Sequence, residues 1–240
     1  MKCLRLLTLL PLCALISACL TGQQDPPFTL TLAHMNDTHS QFDPVNAELK
    51  GALFGNQGEI DTLYTRLGGY PRLLTMTKAY QAEALAKNQP LLLLHGGDAW
   101  QGSGYFKLNE GMANAELLSQ FGLDAMALGN HEFDLDNQKL ARFIQGVNFP
   151  VLAANLDSRD DPDLSRASNL KPFVIYAFDG NQKSPVTDLD HLPADKQLVA
   201  VIGLVLEDMA NISPNVGKLR FAKEVASAQA TVDLLQARGI

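Results

Sequence analysis

Three short polar clusters in this sequence each follow an apolar run, and together they could bind divalent cations. Asp37 and His39 form the first cluster, Asp98 the second, and Asn130 with His131 the third. Carboxylate, amide and imidazole ligands suit Zn, Mn, Fe or Mg rather than Cu(I) or an iron–sulfur cluster. Because residues two apart point to the same side of an extended backbone, Asp37 and His39 can face one cation. We therefore predict a metal site that draws on all three clusters.

Asp98 is predicted to bridge two cations, because Gly96-Gly97 carries no side chain that would hold the backbone away from them. Two cations about 4 Å apart can polarise a phosphoryl group, generate a hydroxide nucleophile and hold it in line. His131 would stabilise the transition state or protonate the leaving oxygen. Asp134 could orient the imidazole and favour its charged form. These residues predict hydrolysis of a phosphate ester.

Strands and helices alternate along the chain, in the order typical of a layered α/β fold. In an open α/β sheet, ligands gather beyond the carboxyl ends of the strands, so the three clusters can converge. Apolar runs predict strands at residues 28–35, 91–94, 125–128, 151–154, 173–178 and 198–206. Helical spacing predicts helices at residues 70–88, 110–121 and 137–145, and a last helix through Val225, Ala228, Val232 and Leu235.

The segments around the clusters have weaker patterns. Residues 44–69 show no clear periodicity and predict an irregular loop near the site. His34 and His95 are expected to pack, or to support the ligands, rather than to bind a cation themselves. The helix at 70–88 is predicted to bury the face made of Leu73, Met76, Tyr80 and Ala84.

Residues 1–19 have the pattern of a signal peptide and take no part in the fold. Their apolar run at 6–16 is too short to span a bilayer as a helix. The last four, Ile-Ser-Ala-Cys, resemble the lipobox of bacterial lipoproteins, whose cysteine, here Cys19, is acylated. An ordinary secretory signal cleaved near Ala18 is the alternative. Residues 20–27 are polar and proline-bearing, which predicts a tether.

The chain without its signal is expected to be acidic and to lack disulfides. Cys3 and Cys13 would leave with the signal, and the lipid-bearing cysteine would have no partner. Removal of Lys2 and Arg5 changes the formal charge from −7 to −9. Without a basic stripe to meet phosphates, a nucleic-acid polymer is not an expected partner. A small phosphorylated substrate is compatible with this charge, because bound divalent cations supply positive charge locally.

The three clusters and their flanks resemble a known family. Asp37-x-His39, Gly97-Asp98 and Gly129-Asn130-His131-Glu132, in that order, resemble the first three motifs of the calcineurin-like metallophosphoesterases. Residues 32–39, 97–102, 124–134 and 149–155 are similar to the 5'-nucleotidase branch, which includes bacterial periplasmic nucleotidase/UDP-sugar hydrolases and animal ecto-5'-nucleotidase. The resemblance covers residues 28–240 and implies a layered α/β sandwich of mixed sheets flanked by helices.

The resemblance implies a role for each motif residue. His131 and Asp134 would be the catalytic pair. Nucleoside 5'-monophosphates would be the substrates, with UDP-sugars as a second class and a 2',3'-cyclic nucleotide phosphodiesterase as the alternative activity. The enzyme would be exported and lipid-anchored at the periplasmic side or surface of a bacterial membrane. Two divalent metal ions, Zn, Mn, Mg or similar, would be held by Asp37, His39, Asp98 and Asn130.

In the family the fold continues with features that lie beyond this sequence. The next strand ends in a ligand histidine, a Gly-His-x-His-like motif follows, and a C-terminal domain binds the nucleoside. The sequence ends at Ile240 before these features. We therefore expect an incomplete metal centre with low or no turnover, and an exposed strand edge and apolar surface near the last helix. A non-catalytic, truncated metal-binding lipoprotein is the second hypothesis.

Overall fold

The structure, a computed structural model, describes residues 28–51 and 61–240. The predicted signal segment at 1–19 with its Cys19, and the predicted tether at 20–27, lie outside the described residues. Within the described ranges, no helix has both the length and the apolarity needed to cross a membrane.

The described chain alternates short strands and helices. Its strands are β1 (Thr31–Met35), β2 (Val45–Gly51), β3 (Asp61–Leu67), β4 (Leu91–His95), β5 (Ala125–Ala127), β6 (Val151–Leu152), β7 (Leu156–Asp157), β8 (Leu170–Lys171), β9 (Phe173–Asp179), β10 (Gln182–Val186), β11 (Gln197–Ile202) and β12 (Arg220–Phe221). Its α-helices are α1 (Tyr70–Ala86), α2 (Gly104–Asn109), α3 (Met112–Leu118), α4 (Asn137–Gly146), α5 (Met209–Ile212) and α6 (Glu224–Gln236). Short 3-10 turns cover His131–Phe133 and Leu164–Arg166.

The main sheet has five parallel strands in the order β1-β4-β5-β6-β8. The strands β1, β4 and β5 are neighbours, with Met35 paired to His95 and His95 paired to Met126. Because all three strands run in the same direction, the loops that follow them meet at one edge of the sheet. This order brings the three polar clusters together, as the sequence predicted.

Alternate residues of the central strands face two different cores. Leu93 belongs to the larger core beneath the helices, whereas Leu92, its neighbour in β4, packs with Val174 and Phe178 of β9. The antiparallel sheet β10-β9-β11 therefore covers one face of the parallel sheet, and helices cover the other. A strand buried on both faces reads as a continuous apolar run, which is the pattern of residues 91–94. The predicted layered α/β architecture is confirmed.

Asp124 links the two sheets. Its buried carboxylate accepts a hydrogen bond from the amide of Leu93 at 2.8 Å and contacts Lys183 Nζ at 2.5 Å. The hydroxyl of Tyr176 on β9 donates to the Asp124 carbonyl at 2.6 Å. Because a buried charge is tolerated when it is paired and hydrogen-bonded, Asp124 can occupy this position between the layers.

The predicted irregular loop at 44–69 is wrong for the described part of that segment. β2 and β3 form an antiparallel hairpin in which Val45 pairs with Leu67 and Gly51 with Asp61. Apolar periodicity arises when one face of an element is buried. This ribbon exposes apolar side chains, with Tyr64 at 76% and Val45 at 47% exposure. The sequence therefore has no apolar periodicity that would predict this hairpin.

The helix predicted at 110–121 begins two residues late and is preceded by the unpredicted α2. Glu110 and Gly111 have φ angles of 49° and 82°, a left-handed conformation that ends one helix before the next begins. A Cβ at Gly111 would lie 2.4 Å from the ring of Trp100. The close approach of this ring thus requires glycine at the break.

The two long helices form where predicted, but their buried faces differ. In α1 the buried residues are Tyr70, Thr77 and Ala84, whereas Met76 and Tyr80 are 48% and 44% exposed. In α6 only Leu235 of the described helix is buried, and Val225 is 83% exposed. Leu234 is 42% exposed as well, and a continuous apolar surface near this helix stays a prediction. β11 is also an edge strand of its described sheet, as expected.

Candidate metal centre

The loops that follow β1 and β4 continue the pairing of their strands. The amide of Gly96 donates to the Met35 carbonyl at 2.8 Å, and the amide of Asp37 donates to the Gly97 carbonyl at 3.0 Å. The amide of His39 then donates to the Asp98 carbonyl at 3.1 Å. The first two polar clusters are therefore held side by side by backbone hydrogen bonds.

Non-glycine residues with positive φ concentrate in these loops. The φ angles are 52° for Asp37, 43° for His39, 50° for Ser40 and 56° for Asp98. Such conformations are uncommon for residues with a side chain and cost of the order of 1–3 kcal/mol each, and they occur preferentially at functional sites. The hydrogen bonds between the loops offset this cost.

Two glycines allow the loops after β4 and β5 to touch. A Cβ at Gly129 would lie 2.1 Å from Oδ1 of Asp98, and a Cβ at Gly97 would lie 2.5 Å from the amide nitrogen of Gly129. Both distances are shorter than real Cβ atoms show. Glycine at these two positions is therefore a condition for the close approach of Asp98 to the third cluster.

Ligand atoms of His39, Asp98 and His131 lie within 4.8 Å of one another. The Nδ1 atom of His39 lies 3.0 Å from the carbonyl oxygen of Trp100, and a carbonyl can only accept, so Nδ1 carries the proton. This leaves the Nε2 lone pair of His39 free for a cation, which is the usual arrangement of a metal-binding imidazole. The donor set of the group fits a divalent cation.

Asp37 stands beside this group. Its Oδ1 atom lies 3.6 Å from Nε2 of His39, and its side chain is 54% exposed. The side-chain amide of Asn36 donates to its other carboxylate oxygen. Asn130 lies on the loop after β5, half-buried between Gly129 and the 3-10 turn. The ligand roles of Asp37 and Asn130 stay predictions.

His131 contacts both Asp134 and Asp98. Its Nδ1 lies 2.8 Å from Oδ2 of Asp134, and its amide donates to Oδ1 of Asp98 at 3.0 Å. Partial burial lowers the pKa of His131, but the hydrogen bond and charge of Asp134, with the charges of Asp98 and Glu132, raise it above its usual value overall. The predicted pairing of His131 with Asp134 is thus present as a contact, and its catalytic role stays a prediction.

Glu132 has a supporting role that the sequence did not reveal. Its carboxylate is fully buried and accepts four backbone hydrogen bonds. Oε1 binds the amides of Ala99 at 2.8 Å and Trp100 at 3.2 Å, and Oε2 binds the amides of Asp98 at 3.0 Å and Gly129 at 2.7 Å. Burial raises the pKa of Glu132, and the hydrogen bonds from the amides oppose this rise.

The four bonds to Glu132 connect the loop that carries Asp98 to the loop that carries His131. Glu132 stood in the Gly-Asn-His-Glu motif without an assigned role, because its donors come mainly from a segment about 33 positions earlier. The sequence feature that could have indicated this role is the position of the glutamate next to a predicted metal-binding cluster. Sequence patterns alone do not identify backbone donors, since every residue type except proline has an N–H.

The remaining histidines lie away from the group of ligand atoms. His95 is 2% exposed, as expected for a packed residue, and contacts Thr38 and the amide of Gly97. His34 is exposed, so the packed alternative of its expectation is wrong, and it is not part of the group of ligand atoms. It lies on the face of β1 that borders a cavity of about 260 Å³ next to Val201.

Comparison with known proteins places this geometry in a family. The family described as calcineurin-like phosphoesterase matches residues 30–212. A 5'-nucleotidase of Diplobatis ommata is 30% identical over 215 residues, covering 89% of this chain and 32% of the relative. The NAD 5'-nucleotidase of Haemophilus influenzae is 30% identical over 212 residues, covering 88% of this chain and 30% of the relative.

Solved structures lead to the same family. The 5'-nucleotidase precursor of Thermus thermophilus superposes with a TM-score of 0.70 at 32% identity, covering 89% of this chain and 36% of that one. The NAD nucleotidase of Haemophilus influenzae superposes with a TM-score of 0.69 at 27% identity, covering 87% of this chain and 32% of that one. The chain spans about a third of the length of the relatives it matches. The α/β fold with a parallel sheet flanked by helices is that of these proteins.

Proposed function

Because the chain belongs to the calcineurin-like phosphoesterase family, we propose that its metal centre hydrolyses phosphate esters of nucleosides. The observation that carries the proposal is the grouping of His39, Asp98 and His131 at the carboxyl ends of three adjacent strands. Calcineurin-like phosphoesterases use divalent metals. Relatives named 5'-nucleotidase support nucleoside 5'-monophosphates as the substrates. UDP-sugars are proposed as a second class on the resemblance of the sequence motifs alone.

Asp37, His39, Asp98 and Asn130 would hold two divalent ions. When bound, such ions polarise the phosphoryl group and lower the pKa of water at the site. The free Nε2 of His39 and the carboxylate of Asp98 support this assignment, because imidazole and carboxylate together suit Zn, Mn or Mg. The cations would also offset the negative charge of a phosphate ester near an acidic protein surface.

His131 would act on the leaving group. Its Nδ1 atom is held by Asp134, so its Nε2 atom is the one available to donate a proton to the ester oxygen as the P–O bond breaks. The raised pKa of His131 keeps a larger fraction of the imidazole protonated near neutral pH. The same positive charge would stabilise the charge that develops on the phosphoryl oxygens.

A non-catalytic metal-binding protein is the second candidate. It is favoured by the position of Asp37, which stands beside the group of ligand atoms formed by His39, Asp98 and His131 rather than within it. The assay is phosphate release from AMP by the 240-residue chain with Mn²⁺ or Zn²⁺. We expect weak hydrolysis that a chelator removes and that Asp98→Ala abolishes. If the wild type and Asp98→Ala are equally inactive and neither binds metal, the proposed hydrolysis fails.

The choice among nucleotide esters needs a separate measurement. We compare AMP, UDP-glucose and 2',3'-cyclic AMP at equal concentration, and we expect AMP to be hydrolysed fastest. A preference for the cyclic nucleotide would favour the phosphodiesterase alternative of the same family.

Export with a lipid anchor at Cys19 is part of the proposal and rests on residues 1–19. Labelled palmitate should be incorporated into the wild type and not into Cys19→Ser in a bacterial host. Incorporation that survives Cys19→Ser would refute the anchor, and a mature protein beginning at residue 19 without lipid would favour an ordinary secretory signal.

A further inference from the structure

The loop that carries Asp37 and His39 has a second, buried side. Thr38 and Ser40 face inward and are 9% and 0% exposed. His39, which lies between them, faces the group of ligand atoms that it forms with Asp98 and His131. Behind them lies a set of buried polar side chains that the proposed hydrolysis does not use. We call it the buried polar network, and it consists of Thr38, Ser40, Tyr70, His95 and Asn114.

Thr38 is the centre of this network. Its Oγ1 atom lies 2.9 Å from the Tyr70 hydroxyl and 3.2 Å from Nε2 of His95. The amide of Gly97 donates to Nδ1 of His95 at 3.1 Å, so the ring proton of neutral His95 is on Nε2 and points to Thr38. The residue between Asp37 and His39 is therefore connected both to the end of β4 and to the start of α1.

Tyr70 is itself held firmly at the start of α1. Its amide donates to the Phe42 carbonyl at 3.0 Å, and its ring makes edge contacts with Phe42 at 4.7 Å and Phe121 at 5.4 Å. A Cβ at Gly69 would lie 2.7 Å from the nitrogen of Pro44, so helix and loop are in close contact. The Tyr70 hydroxyl is therefore held in one position, and its contact with Thr38 can position the loop that carries Asp37 and His39.

Asn114 extends the network to α3. Its side-chain amide donates to the Ala99 carbonyl at 2.7 Å, and its Oδ1 accepts from the Ser40 hydroxyl at 3.1 Å. Both loops that carry the proposed metal ligands are therefore hydrogen-bonded to helices on their buried side. A buried network whose members are satisfied by one another specifies a single arrangement, because each lost bond leaves a polar group without water.

We propose that Thr38, through its contacts with Tyr70 and His95, is a positioning residue that sets where Asp37 and His39 stand relative to Asp98. The positive φ angles on both sides of Thr38 need such support. This inference rests on the proposed metal centre. It adds that Tyr70 of α1 helps to position the residues of that centre. None of these groups is expected to touch the substrate.

The test uses Mn²⁺ alone as the probe and four variants of the 240-residue chain. Thr38→Val removes the hydroxyl at nearly constant volume, and Thr38→Ser retains it. Tyr70→Phe removes the other hydroxyl and keeps the ring. Tyr80→Phe is the matched control, because it lies on the same helix at 44% exposure and outside the network.

We expect Thr38→Val and Tyr70→Phe each to weaken Mn²⁺ binding about fivefold to tenfold in calorimetric titration, the change that corresponds to one buried hydrogen bond. In chelated protein, amide hydrogen exchange at His39 and Ser40 should accelerate by a similar factor. Thr38→Ser should restore both quantities, and Tyr80→Phe should match the wild type.

Three results would overturn the positioning role. The first is wild-type Mn²⁺ affinity in Thr38→Val and Tyr70→Phe, even if both unfold more easily, because that pattern belongs to a purely structural network. The second is failure of Thr38→Ser to restore binding. The third is absence of Mn²⁺ binding by the wild type. Binding with the expected pattern but without phosphate release would overturn the proposed hydrolysis and leave the positioning role intact.

Discussion

The amide of Gly129 donates a 2.7 Å hydrogen bond to Oε2 of Glu132, three residues further along the chain. The other three donors to this carboxylate belong to residues 98–100, so Glu132 joins the two loops on which Asp98 and His131 stand. Among the described residues, no lysine, arginine or histidine forms a salt bridge with it within 4 Å. Its four hydrogen-bond donors are backbone amides, which can compensate a buried carboxylate as in anion-binding nests.

Glu132→Gln should destabilise the fold and the metal centre together. The new NH2 group would face two amides that also donate, so buried donors lose their acceptor at about 1–3 kcal/mol of unfolding free energy. Urea unfolding in chelator measures this loss, and Mn²⁺ titration measures the effect on the site. Glu116→Gln, on the exposed side of α3, is the control and should change the free energy by less than about 0.5 kcal/mol. Equal stability of the two variants would refute the role of Glu132.

Gly129→Ala should separate the loops of Asp98 and His131. The added Cβ would lie 2.1 Å from Oδ1 of Asp98, so the backbone must shift, at about 1–3 kcal/mol of unfolding free energy for an overpacked site. Mn²⁺ affinity should fall at least about tenfold, since one tenfold step corresponds to about 1.4 kcal/mol.

Gly104→Ala is the control for this substitution. Gly104 is the first residue of α2, and a Cβ there would meet nothing within 4 Å. Because alanine is the better helix former, this variant should be as stable as the wild type or slightly more stable. If both alanine variants bind Mn²⁺ like the wild type, close contact of the loops is not needed for the site.

Asp134→Asn should lower the pKa of the His131 imidazole. In the wild type the hydrogen bond and charge of Asp134 raise that pKa against the opposing effect of burial. A raised pKa in the folded state contributes stability below the unfolded pKa of about 6.5, and this contribution is lost as the pH rises through the folded pKa. At low pH the unfolding free energy of Asp134→Asn should lack this contribution. At high pH its unfolding free energy should depend on pH in the same way as that of the wild type.

NMR titration of the His131 ring in metal-free protein measures this change directly. Asp188→Asn is the control, because Asp188 makes the corresponding contact with the exposed His191 at 2.8 Å and should leave His131 unchanged. An unchanged His131 titration in Asp134→Asn would contradict the assigned cause.

The buried His95 should make the fold sensitive to acid. Burial lowers its pKa from 6.5 to about 4. Between these values the unfolded chain takes up a proton that the folded chain does not, so the unfolding free energy decreases as the pH falls from about 6.5 to 4, by roughly 3 kcal/mol in total. Urea unfolding across this range measures the slope.

His95→Gln should flatten that slope, whatever its effect on absolute stability. His191→Gln is the control, because His191 is exposed and should leave the slope intact. A wild-type slope in His95→Gln would assign the acid sensitivity to other groups.

The sequence by itself predicted the chemistry of the site, and the structure brings together three of the residues that it named, His39, Asp98 and His131. Apolar runs marked the strands, and within four residues after three of them came Asp37 and His39, Asp98, and His131. Parallel strands present their carboxyl ends at one edge of a sheet. The order of strands and polar clusters along the sequence was therefore enough to predict that the clusters converge. Strand β4 was predictable because a strand buried on both faces has a continuous apolar run. Helix α1 formed where its apolar spacing predicted it, although Met76 and Tyr80 of that spacing are exposed.

Only the tertiary structure decided what holds these residues in place. The donors to Glu132 and the contact of Thr38 with Tyr70 join segments roughly 30 positions apart through backbone amides and hydroxyls, groups that leave no periodicity. The hairpin of β2 and β3 was equally hidden, because a ribbon with exposed apolar residues lacks the one-sided burial that creates a pattern. Residue type and local spacing indicate which groups can react, whereas long-range packing determines their distances.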